Sequence, residues 1–319
     1  MASNSFGRAR LSAAAPQSSE LASLARRRFL RQVITGCAAW AGGNLAATAW
    51  SAPHPKTSQE EEADTSNEAR AAAAADIPYG KLNDAWQRKL SSVVQRASIF
   101  RRIPNKIIDC DDQLHLFLVR NPEVIVNIWN VMGVSNMSAE RTGAYSWKGN
   151  DGAGTTCTVE LVYGSRDFHI LYGEGQYEGP LFKRQIHGKS VLLLRSAYQR
   201  GEDRRCYVDN QLDVFLTMEN SGVDLIAKTF HPLVGSTIDS NFAQTTKFLG
   251  HVSLTAERNP PGIQRFSDKL TKLQPQVRAG FAAVAGGVNG RVAQAQREAP
   301  DENGADSPRQ AGLTQNANR

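Results

Sequence analysis

Cysteine is scarce, with four in 319 residues and no Cys-x-x-Cys pair, so neither a zinc ribbon nor a thioredoxin-like redox motif is encoded. Outside Cys37 there remain Cys110, Cys157 and Cys206, an odd number that allows at most one disulfide within the chain. Cys157 and Cys206 both fall in strand-like runs, where they either pair or stay as buried thiols. Phosphate-cradling glycine loops are lacking too: His187-Gly188-Lys189-Ser190 has no flanking glycines of the P-loop or nucleophile-elbow kind and reads as a hairpin turn. No strongly apolar stretch of about 20 residues is present, so no conventional membrane-spanning helix is expected in the mature chain. Acidic residues are nearly missing from the first 52 positions, which hold six arginines, no lysine and one acid, Glu20. That surplus of +5 accounts for nearly all of the formal net charge of +6. The remainder is close to neutral and has no basic stripe interleaved with aromatics, which argues against nucleic acid as a partner.

The concentrated basic charge has a pattern. Arg26-Arg27-Arg28-Phe29-Leu30-Arg31 resembles the twin-arginine export consensus, carried by Arg26, Arg27, Phe29 and Leu30. A glycine-diluted, weakly apolar stretch from Val33 to Ala49 follows, and Ala47-Thr48-Ala49 fits a signal-peptidase site with cleavage after Ala49, Ala49-Trp50-Ser51 being an alternative register. Ile34-Thr35-Gly36-Cys37 has the form of a lipobox, but it follows Arg31 too closely to leave an apolar region between. The resemblance implies a bacterial protein that folds in the cytoplasm, uses the twin-arginine translocase as partner and reaches the periplasm.

Composition divides the rest. Residues 53–77, rich in Pro, Ser, Glu and Ala, read as a solvated linker, and 276–319 as a largely disordered tail. A single domain is expected over 78–275. Within it, Leu82, Trp86, Leu90 and Ala97 recur at helical spacing over 79–99, with Pro104 as a stop. Residues 107–119 alternate and predict a strand. Asn121-Pro122-Glu123 opens a helix to Met132 that buries Val124, Ile128, Trp129 and Met132. From residue 142 the period switches to two, predicting strands at 155–163, 167–175, 189–198, 206–219 and 223–230, with connections short enough to force antiparallel pairing. After Pro232 and Gly235 a long helix is expected, starting between Ser236 and Asp239, running to Glu257 and ended by Asn259-Pro260-Pro261-Gly262.

The fold class is therefore α+β, an antiparallel meander of five or more strands with short N-terminal helices and a long C-terminal helix. That order of elements resembles the helix-grip layout of START and Bet v 1-like domains over about residues 107–257. The segment after Asn121 and the block from Leu212 to Asn259 also look like an uncharacterised family of exported bacterial proteins, which brings no activity with it. The helix-grip resemblance implies an apolar or amphipathic ligand held between sheet and long helix, although one fold hosts many functions.

Candidate chemistry is sparse. Asp109, Asp111 and Asp112 around Cys110, with His115 nearby, offer a carboxylate and imidazole cluster without a distant fourth ligand, so it reads as a turn before a strand. Glu174 shares an alternating face with Phe168, Ile170 and Tyr172, while His169 lies on the other; with the former face inward, Glu174 becomes a cavity carboxylate. Arg195 shares a face with Val191 and Leu193 and needs a partner such as Glu174, Asp213 or a ligand carboxylate. Lys228 and His231 fall near the predicted last strand's end, at a cavity rim. Glu174, Arg195, Lys228 and His231 are the ligand-binding candidates. No catalytic, metal or cofactor set is read, and the chain is expected to travel without either group. The favoured function is a binding module for a lipid or other apolar molecule. The alternatives are a structural or interaction protein of the cell envelope, and a hydrolase- or cyclase-type enzyme in which Glu174, Arg195 or His231 must meet in one cleft.

Overall fold

The computed structural model describes residues 62–178, 185–219 and 223–298, the side chains of 223–234 excepted. The arginine motif, Cys37 and Ala49 lie outside the described residues. Two helices lead in, α1 (Asn67–Ala75) and α2 (Asp84–Arg96), followed by β1 (Ile99–Asp109), α3 (Asp112–Arg120) and α4 (Pro122–Val131). Then come β2 (Ser138–Gly143), β3 (Ser146–Asn150), β4 (Thr155–Gly164), β5 (Phe168–Tyr177), β6 (Ile186–Arg200) and β7 (Cys206–Glu219). The chain closes with α5 (Val223–Arg258), α6 (Pro260–Ser267), α7 (Pro275–Gly286) and α8 (Val288–Arg297). The strands form one seven-stranded antiparallel sheet in the order β1-β7-β6-β5-β4-β3-β2. The fold is α+β with a helix-grip-like layout.

Local chemistry explains the meander. The β3–β4 turn is held by Asp151 Oδ1, which accepts from the backbone N–H groups of Ala153 and Thr155 at 2.7 and 2.9 Å. Gly152 and Gly154 there adopt φ of 73° and 112°, a region open to glycine at little cost. β1 departs from this local logic, because it pairs with β7 more than a hundred residues later, Phe100 opposite Phe215 and Arg102 opposite Asp213. It is an edge strand, so Pro104 sits within it, at the register shift between Ile103 and Lys106, without costing a ladder bond.

Each face of the sheet has its own cover. On one, Leu90, Val93 and Val94 of α2 with Ala69 and Ala73 of α1 pack on Phe100, Ile170, Tyr172, Val191, Leu193 and Phe215. Each large side chain so buried contributes about 1.5–3 kcal/mol. On the other, Ile238 of α5 packs on Ile99, Ile103, Val214 and Leu216. Gly235 lets that helix come close, since a Cβ there would lie 2.6 Å from the Arg101 guanidinium. Arg101 then reaches Asp239 one turn on, Nε donating to Oδ1 at 3.0 Å. A third cluster joins α3–α8 around Leu114, Leu118, Ile128, Trp129, Phe248, Phe281 and Val288.

Several expectations are corrected. Residues 107–119 are not one strand: β1 ends at Asp109 and a helix begins at Asp112. Asp111 Oδ1 caps that helix by accepting from Leu114 N–H at 2.8 Å, and Leu114, His115 and Leu118 point inward at helical spacing. Residues 223–230 belong to α5, which passes through Pro232 and Gly235 without a break. Met132 is exposed and Asn121 makes no side-chain cap bond. The linker and tail boundaries also move. Ser66 caps α1 from the alanine run, the residue with the strongest helix propensity. At the other end, Phe281, Ala285 and Val288 are fully buried. The packed unit therefore extends well beyond 78–275 on both sides.

Candidate functional site

The face of the sheet that meets α5 carries the feature of interest. Residues directly opposite one another in a sheet share a face, so the register Leu161–Leu171–Leu192–Val214 runs an apolar band across β4, β5, β6 and β7. Leu194, opposite His169 and Leu212, and Val159, opposite Gly173, extend it. Leu192 and Leu212 pack against the α5 cluster. Val159, Leu161, Leu171 and Leu194 belong to no apolar cluster among the described residues and remain half-buried. Beside the band, Gly149, Gly173, Gly175 and Gly188 stand on the same face, and Ser190 and Cys157 close over Gly173 and Gly175, where a Cβ would lie 2.6 and 2.8 Å from their side chains. One margin of this trough is covered by α5. The other is covered by α4, where Glu123 accepts from Arg141 Nε at 2.7 Å and Arg141 stacks on Trp147.

The upper end of the band is polar. His169 is fully buried, and its Nε2 accepts from Arg120 Nε at 3.3 Å while Arg120 Nη2 donates to Ser165 O at 2.8 Å. Burial, with the adjacent Arg120 charge, pushes the His169 pKa down to about 4. With the ring neutral at pH 7, and since a guanidinium only donates, the remaining proton sits on Nδ1, which has no hydrogen-bond partner among the described residues. Next to it lies a saturated network: Tyr198 O–H donates to His115 Nδ1 at 3.0 Å, His115 Nε2–H donates to Asn210 Oδ1 at 2.9 Å, and Ser196 Oγ–H donates to the same oxygen at 3.0 Å. Desolvation lowers His115 to about 4 and raises Tyr198 above the ordinary tyrosine range, so neither group exchanges protons readily at neutral pH.

The four candidate ligand residues do not converge there. Arg195 lies on the α1–α2 face, where Nη1 donates to Asp213 Oδ2 and Nη2 to Asp76 Oδ2, both at 2.5 Å. Asp213 is fully buried and also accepts from Arg102 Nε at 2.7 Å, so the partner that Arg195 required is Asp213. Glu174 shares that face but opposes Lys189, six residues along β6 from Arg195 and so about 20 Å away. It accepts from Tyr172 O–H at 3.0 Å and is 51% exposed at the side chain, so it is no cavity carboxylate. Lys228 and His231 fall in the opening turns of α5, not on a strand, and their side chains lie outside the described residues. Among the described residues nothing brings Glu174 and Arg195 together.

The Asp109, Asp111, Asp112 and His115 cluster is likewise dispersed. Arg205 binds Asp109 and Glu257, Arg291 binds Asp111 through both nitrogens at 2.8 Å, and Arg166 binds Asp112 at 2.6 Å. Among the described residues no three His, Cys, Asp or Glu side chains gather to hold a metal ion. Cys110 and Cys206 form no disulfide, and they are the backbone neighbours, Cys110 N–H donating to Cys206 O at 3.0 Å. Two cavities are lined by described residues. One of about 260 Å³ sits among Arg205, Arg291, Asp109 and Glu257 where the last turns of α5 meet the β6–β7 turn. A groove of about 590 Å³ runs between Asp76, Arg166, Phe168, Arg195 and Tyr198.

Sequence reasoning had assigned His169 only to the face opposite Glu174 and had passed over Arg120. The alternation that puts His169 with Leu171 was the available signal; the approach of Arg120 from α3 had none, because that segment read as a strand. No protein-family model and no curated protein matches this chain. Solved structures do. A conserved protein from Geobacillus kaustophilus is 12% identical over 46% of this chain and 93% of its own, with a TM-score of 0.33. A putative uncharacterized protein from Rhizobium leguminosarum has the same identity and coverage and a TM-score of 0.28. At these scores the likeness bears on neither ligand nor activity. Among the described residues no helix is long and apolar enough to cross a membrane.

Proposed function

We propose that this is an exported binding module whose ligand, an apolar or amphipathic molecule, lies on the sheet between α5 and α4. The observation that supports it is the band of half-buried leucines, Leu161, Leu171 and Leu194, outside the apolar clusters among the described residues. Close-packed interiors leave few such side chains unfilled, and ligand sites are concave, largely apolar surfaces with a few placed polar groups. The resemblance of the leader to the twin-arginine consensus supports delivery by the twin-arginine translocase to the periplasm, with cleavage after Ala49. The neutral, hydrogen-bonded state of His115 and the separation of Glu174 from Arg195 favour binding over hydrolase or cyclase chemistry.

Native mass spectrometry of the full chain, with and without added lipid extract, tests this reading. The expected result is a co-purifying or captured apolar molecule that is lost in Leu171→Trp, where the indole fills the trough. A crystal structure with the same leucines sealed in a solid core, and no captured molecule, overturns it.

A further inference from the structure

The trough has a polar end of definite sign. His169 offers a buried N–H donor at Nδ1 that no group among the described residues accepts, and its cross-strand neighbour on the same face is Leu194 of the apolar band. An unpaired buried donor costs about 1–3 kcal/mol unless a partner meets it. Behind the ring stands Arg120, half-buried, with bonds to His169 Nε2 and Ser165 O and no ion pair among the described residues. Most other arginines that face the protein interior, Arg101, Arg102, Arg141, Arg195, Arg205 and Arg291, are each held by a carboxylate. The end of the band thus holds one unpaired donor and one arginine without an ion pair among the described residues, its field at His169 opposed in part by Asp167, and both donor and arginine complement an anionic acceptor.

We infer that the ligand class is a long-chain carboxylate, its tail along Leu194, Leu171 and Leu161 and its head accepting from His169 Nδ1 with the Arg120 charge behind. This rests on the proposed binding reading and specifies its ligand. A cationic amphiphile of equal length has no acceptor for Nδ1 and is repelled by Arg120. A neutral chain gains the apolar contact alone. Arg120 acts by fixing the His169 tautomer and by its field, so it is a positioning residue as well as a counter-charge.

The test is a native mass spectrometry titration of the full chain with palmitate and, separately, hexadecyltrimethylammonium. The wild type, His169→Phe, His169→Gln, Arg120→Gln and Glu174→Gln chains are compared, each with its thermal midpoint recorded. The expected result is that palmitate binds and the ammonium probe does not. Binding weakens about tenfold in His169→Phe and in Arg120→Gln, as one lost charge-assisted bond predicts. His169→Gln keeps a donor and stays near wild type, as does Glu174→Gln on the far face. Where His169→Phe fails to fold, Arg120→Gln and His169→Gln carry the comparison. Equal binding of the two probes, or palmitate binding indifferent to both His169→Phe and Arg120→Gln, overturns the carboxylate assignment and leaves the binding module standing. Capture of neither probe, nor of any other apolar molecule, overturns both.

Discussion

Asp213 has no exposed side-chain area and carries two arginines, Arg102 and Arg195, which would otherwise stand as like charges over the α1–α2 face. Removing one partner of a buried ion pair is far costlier than its presence is favourable. Asp213→Ala is expected to lower unfolding stability by about 3 kcal/mol, discounted for the quarter-exposed arginines, in urea titrations. The buried histidines set a pH dependence. His115 and His169 are lowered from 6.5 to about 4, so between pH 6.5 and 4 the unfolded chain binds protons that the native chain does not. Stability is then present above pH 6.5 and lost as the pH falls toward 4. Unfolding free energies from urea titrations at pH 7 and 4.5 should differ by on the order of 3 kcal/mol, allowing for solvent reaching the sites. His115→Gln should flatten the slope, and an unchanged midpoint would count against neutral buried imidazoles.

At the scale of elements, the packed unit is longer than its central region suggests. α1 is tied down by Arg70 Nη2, which donates to Val94 O at 2.9 Å, and by Asp76 at its end, which binds Arg195. α8 is tied down by Arg291, which bonds both oxygens of the α3 cap Asp111. A fragment of residues 78–275 should therefore show a lower thermal midpoint and more aggregation than one of 62–298, since it exposes the surfaces that Ala73, Phe281 and Val288 cover. Arg291→Ala should raise hydrogen exchange in α8 and in the first turn of α3 together, because one contact serves both. Strands β4 to β7 were legible because their turns are local and their alternation is regular. Residues 112–120 were not. Leu114, Leu116, Phe117, Leu118 and Val119 satisfy a period of two as well as one of 3.6, and only the packing of Leu114 and Leu118 against α5 and α7 selects the helix. Pro104 reads as a stop in isolation and is tolerated here because β1 lies at the sheet edge.

The whole molecule is a sheet with an N-terminal helical layer on one face and α5 on the other, and the two faces divide the candidate residues. Arg195 and Glu174 belong to the closed face; the half-filled trough and His169 belong to the other. The proposed export concerns a different property of the same chain. Replacing Arg26 and Arg27 together by Lys keeps the charge and removes the motif, so the protein is expected to stay in the cytoplasmic fraction when cells are fractionated and blotted. Undiminished export of that variant would count against the twin-arginine route.

The sequence alone carried the arginine motif with the weakly apolar stretch after it, the near-neutral remainder and the antiparallel meander from β4 to β7, because each depends on residues close together in the chain. Tertiary structure decided the rest. The pairing of β1 with β7, the helix at Asp112–Arg120 and the meeting of Arg120 with His169 all join segments tens of residues or more apart. Their energy comes from burial between those segments, which no local pattern of residue types encodes.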